Sequence, residues 1–93
     1  MLVDYLLIGH EQDGEIKKVE HEPGDMLYSS LTFSPANDDS IQYPERVFVV
    51  RVIHHLENRY AVCIARDVTA LEINNFIESS RQNPIPEEVA GEI

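Results

Sequence analysis

The chain has 93 residues, with 17 acidic against 7 basic side chains and a formal net charge of −10. That length sets a single domain, and 43% hydrophobic with 26% charged residues describes a folded globular protein rather than a disordered one. So acidic a surface repels phosphate backbones, which excludes direct nucleic-acid binding and favours a basic protein partner.

The charge is uneven, with −8 over residues 1–45 and −2 over the remainder. No apolar run approaches the roughly 20 residues that span a bilayer. The opening MLVDYLLIG carries Asp4 in place of the basic start of a signal peptide. Cys63 has no second thiol to pair with, so no intrachain disulfide forms and a reducing, cytoplasmic location is expected.

In chain order, LVDYLLI (2–8) reads as a strand, Asp13-Gly14 as a hairpin turn and residues 15–21 as the partner strand. The expected register sets His10 beside Glu15 and His21 near Asp4. The two His-Glu dipeptides, His10-Glu11 and His21-Glu22, then lie roughly 20 Å apart at about 3.3 Å per residue, too far for one coordination shell. EPGD (22–25) is a type II turn leading into a third, half-buried strand, MLYSSLTFS (26–34). SPANDDSIQYPE (34–45) is a solvated loop. Its Asp38-Asp39 pair lacks the regular oxygen spacing of a calcium site.

RVFVVRVIHHLENRYAVCIARDV (46–68) holds two β-branched and aromatic runs joined by HLEN, a second hairpin with His54 opposite Arg59. In that register Phe48, Val50 and Val52 meet the small Ala65, Cys63 and Ala61. Both faces of the hairpin are apolar, as in a strand pair covered on two sides. TALE (69–72) is a capping box, and Ile73, Phe76 and Ile77 form the apolar stripe of a helix running to about Gln82, before Pro84. That stripe is expected on Phe48, Val50 and Val52. PIPEEVAGEI, with its prolines and glutamates, reads as a mobile acidic tail.

The expected fold is therefore α+β: an antiparallel sheet of about five strands, from two hairpins and one further strand, with one C-terminal helix on one face. Residues 1–82 form the domain and residues 83–93 the tail.

No phosphate loop, dinucleotide glycine pattern or paired-cysteine motif is present, so no cofactor, metal or catalytic residue is assigned. Cys63 reads as a buried thiol. His54 and His55 point to opposite faces of their strand. One helix cannot cover both faces of the central hairpin. The face carrying Val47, Val49, Arg51, Ile53, Tyr60, Val62, Ile64 and Arg66 is thus expected as an interface, with a second copy of the chain as partner. The functional expectation is a small acidic non-enzymatic interaction or regulatory module, homodimeric. Two alternatives stand beside it. The first is a nucleic-acid mimic that presents Asp4, Asp13, Glu15, Glu20 and Glu22 to a basic DNA-binding or nuclease partner; the second is a small enzyme using His and Glu.

Overall fold

The computed structural model describes residues 1–33 and 46–90. The 34–45 loop with its Asp38-Asp39 pair, and residues 91–93, lie outside them. Five strands, β1 (Leu2–Ile8), β2 (Glu15–Glu20), β3 (Ser30–Phe33), β4 (Arg46–His55) and β5 (Asn58–Ile64), precede one helix, α1 (Ala70–Ser80). The α+β expectation therefore stands. The sheet has the order β2-β1-β5-β4-β3 and curls into a half-barrel.

The central hairpin forms in the expected register, with Val50 opposite Cys63, Val52 opposite Ala61 and His54 opposite Arg59. Its two-residue turn, Leu56-Glu57, has both residues at positive φ, the geometry that matches the twist of the flanking strands. The sheet is nevertheless mixed rather than antiparallel. β1 pairs in parallel with β5, Tyr5 beside Ala61 and Leu7 beside Cys63. β1 thus lies between β2 and β5 and is covered on both faces, which explains why LVDYLLI is almost continuously apolar.

The β1–β2 hairpin forms in a different register from the expected one: Leu7 pairs with Glu15 and Leu2 with Glu20. The cause is a longer connection than Asp13-Gly14 alone suggests. Gly9, His10, Glu11 and Gly14 all take positive φ, and the Asp13 carboxylate accepts the Gly9 amide at 2.6 Å. Only glycine fits at position 9, where a Cβ would stand 2.8 Å from that of Ala65. The EPGD turn is as expected, with Gly24 at φ 91° and the Asp25 amide donating to the Glu22 carbonyl at 3.1 Å. The third strand is shorter than the MLYSSLTFS run: Leu27 is buried in the core and Tyr28, half exposed, lays its ring against His21, before pairing begins at Ser30.

Two clusters form the core. One joins Val3, Tyr5, Leu7, Leu27, Phe48, Val50, Ala61, Cys63, Ile85 and Val89; the other joins Leu6, Ile8, Tyr60, Val62, Ile73 and Ile77. The helix therefore packs on Tyr60 and Val62, not on Phe48, Val50 and Val52. The room beside Ala61 and Cys63 is filled from within the sheet by Tyr5 and Leu7 on one side and Val50 and Val52 on the other. α1 starts at Thr69, whose hydroxyl accepts the Glu72 amide at 3.1 Å, and it ends on Arg81 in the left-handed region. Only that half of the capping box forms, since the Glu72 carboxylate turns to Arg66 and the Thr69 hydroxyl.

Residues 83–90 do not leave the domain at residue 82 as a tail. Ile85 and Val89 are buried in the first cluster, and the Ile85 amide donates to the Arg59 carbonyl at 2.7 Å. Gly24 and Ala90 add backbone bonds to Glu88 and Asp25.

Candidate functional site

An 11-residue helix about 10 Å wide covers little more than two strands spaced about 4.8 Å apart. α1 lies over β1 and β5, leaving its side of β3 and β4 uncovered. The side chains there are Ser30 and Thr32 on β3 and Val47, Val49 and Arg51 on β4. Val47 and Val49 are 49% and 45% exposed, whereas Phe48 and Val50 between and beside them are buried. The strip is bounded by Ile64, by the connection Ala65–Val68 and by Ile73, forming an open groove of about 530 Å³.

The expected interface is thereby divided. Tyr60 and Val62 lie under α1, and Ile53 packs against the same cluster, so these three are not free for a second chain. Val47, Val49 and Arg51 remain open, with Ile64 at the groove's margin. Arg66 is also held within the chain: its guanidinium meets Asp13 at 2.6 Å and Glu72 at 3.4 Å. The Arg66 hydrogen bond, with the Gly9 amide, holds the Asp13 carboxyl below its ordinary value of 3.8. Stability from this ion pair is present above that value and fades as the pH falls through the lowered one. Among the described residues no hydrogen bond or ion pair engages the Arg51 guanidinium or the Asp67 carboxylate. Asp67 was not singled out by the sequence, because nothing local marks which side of the strand-to-helix connection faces a groove.

The acidic set does not form one unpaired face. Asp4 is buried, accepts from Lys18 at 2.8 Å and accepts the Asn83 amide. Asp13 is tied to Arg66, Glu20 to the N-terminal ammonium at 2.7 Å, and Glu15 to the Gln12 side chain at 3.0 Å. Glu22 is exposed.

The histidines lie in separate settings. His10 leaves the strand, sets its ring edge-on to Phe48 and bonds the Val47 carbonyl through Nε2 at 3.3 Å, instead of standing beside Glu15. His55 meets Glu78 at 3.2 Å, joining the hairpin tip to α1 at the surface. His21, expected near Asp4, is buried against Tyr5, with Nε2 2.7 Å from the phenol oxygen. Burial pushes the Tyr5 phenol up to about 12. On the other side of its ring, His21 Nδ1 stands 3.9 Å from Asp25 Oδ2. The arrangement resembles a relay, but Tyr5 and His21 are so thoroughly buried that neither offers an atom to a substrate. It fastens the 21–28 segment to β1. Tyr5→Phe would leave the buried His21 Nε2 without its partner. It is expected to cost about 2 kcal/mol in urea unfolding, and a loss under about 0.5 kcal/mol would show the bond to be dispensable.

Cys63 is buried, and its thiol is pushed up to about 12 by that burial, away from nucleophilic use. Among the described residues no three His, Cys, Asp or Glu side chains converge as a metal site, and no helix is long and apolar enough to cross a membrane. Comparison with protein-family models, with curated proteins and with solved structures returns no match to this chain.

Proposed function

We propose that the protein is a non-enzymatic interaction module whose contact surface is the uncovered strip of β3 and β4 beside α1. The observation that carries this reading is the pair Val47 and Val49, both about half exposed in a groove that also holds Arg51, which has no ion pair among the described residues. Neighbouring apolar side chains left in water beside one fixed charge make the usual chemistry of a protein contact: an apolar centre with arginine at its edge. The mimic reading draws less support. Such a surface needs rows of free carboxylates, and Asp4, Asp13 and Glu20 are engaged inside the chain.

The test compares what immobilised protein retains from its native cell in three forms: unmodified, Val47→Ser/Val49→Ser, and Glu11→Gln/Glu22→Gln. Each variant is first checked for folding by circular dichroism. Retention lost with the valine variant and kept with the glutamate variant supports the groove. Retention lost only when the glutamates are neutralised overturns it in favour of the acidic surface.

A further inference from the structure

Resting on that reading, we infer that the occupant of the groove is a second copy of this chain, docked across a two-fold axis with Arg51 of each copy against Asp67 of the other. The groove carries both signs of charge, and they do not neutralise one another. Arg51 stands on the β4 floor and Asp67 on the connection that forms the wall, each without an ion-pair partner among the described residues. Arg66, the other cation lining the groove, is already engaged by Asp13 and Glu72. A partner that satisfies this surface must offer an anion to Arg51 and a cation to Asp67, flanking an apolar centre. The surface itself has that composition.

A two-fold contact also requires self-complementarity, since whatever residue i meets on its partner must meet residue i in return. Arg51 and Asp67 fulfil that condition as a reciprocal pair, made twice per dimer. Val47 and Val49 of the two copies would close the centre. The net charge of −10 per chain opposes association at long range, but the Debye length is about 8 Å at physiological ionic strength, so contact charges dominate once the faces meet. A polyacidic peptide, by contrast, could satisfy Arg51 and would still leave Asp67 facing like charge.

Charge exchange followed by sedimentation velocity tests this. The unmodified chain is expected at about twice 10.6 kDa at high micromolar concentration. Arg51→Asp alone sets Asp against Asp67 at both contacts, and Asp67→Arg alone sets Arg against Arg51. Each is expected to weaken the dimer at least about tenfold. Both side chains sit at the surface, and unchanged circular dichroism establishes that the variants fold. The decisive sample mixes the two variants: in that heterodimer both contacts carry opposite charges, so dimer mass should return. An unmodified chain that stays monomeric at 500 µM, as a chosen upper limit, overturns the second copy. So do single variants that dimerise as well as the parent, or a mixture that stays monomeric. If the chain is monomeric while Val47→Ser/Val49→Ser still abolishes retention of another protein, the groove reading survives and only its occupant changes. If neither occurs, both fall.

Discussion

Removing residues 84–93 is expected to abolish most of the protein's stability, although the segment is rich in proline and glutamate. Ile85 is 6% exposed and Val89 fully buried, both within the cluster that holds Val3, Tyr5 and Phe48. Burial of each such side chain contributes about 1.5–3 kcal/mol, so the two together approach the lower end of the 5–15 kcal/mol that holds a domain of ordinary stability. The truncation also frees the Arg59 carbonyl and the Gly24 amide, which are bonded to Ile85 and Glu88. Thermal unfolding followed by circular dichroism would show a transition lowered by tens of degrees or absent. A midpoint within a few degrees of the parent would return the segment to the status of a tail. Ile85→Ser/Val89→Ser in the full-length chain should reproduce most of the loss and so separate side-chain burial from chain length.

Phe48→Ala should cost about 3–5 kcal/mol, the range found when a fully buried aromatic side chain is cut back. Phe48 has no exposed surface, and the His10 ring stands edge-on to it at a centroid distance of 5.1 Å. Its removal opens a void in the first core cluster and takes away a contact of the β1–β2 connection. The adjacent Val49→Ala supplies the contrast, because Val49 points the other way into the open groove and should change stability by less than about 0.5 kcal/mol. Urea unfolding of the two variants reads the alternation directly. Equal losses would show that β4 does not present its faces as described.

What the sequence made legible was local. The central hairpin could be placed residue by residue because a two-residue turn sets its register and small residues on one strand answer large ones on the other. Thr69 and Glu72 marked the helix start, and Pro23-Gly24 marked a turn. The pairing of β1 with β5 was not legible, since Tyr5 and Ala61 are distant along the chain and no turn joins them. Nor was the helix's choice of face: with both sides of the central hairpin apolar, alternation cannot distinguish them, and Ala61 and Cys63 suggested space that Tyr5 and Leu7 in fact occupy. This error moved the candidate interface, because eight residues expected on one open face are divided by α1 into a covered set and an open strip. Gln82 gave no signal at all, although its side-chain amide donates to the carbonyls of both Asp4 and Ala61.

The parallel seam between β1 and β5 has a consequence for the nascent polypeptide. During synthesis β1 can pair with β2 once Glu20 has been made, but its other edge must wait until Ile64 has been made. At about 5–20 residues per second, that interval is roughly 2–9 s. Throughout it LVDYLLI carries an unpaired edge and two apolar faces, with β2 as its only completed neighbour. Glu15, Lys17, Lys18 and Glu20 on that strand are exposed and charged, a composition that discourages sticking to other chains while synthesis proceeds. Translation order therefore gives the second strand a protective task that the finished fold no longer displays.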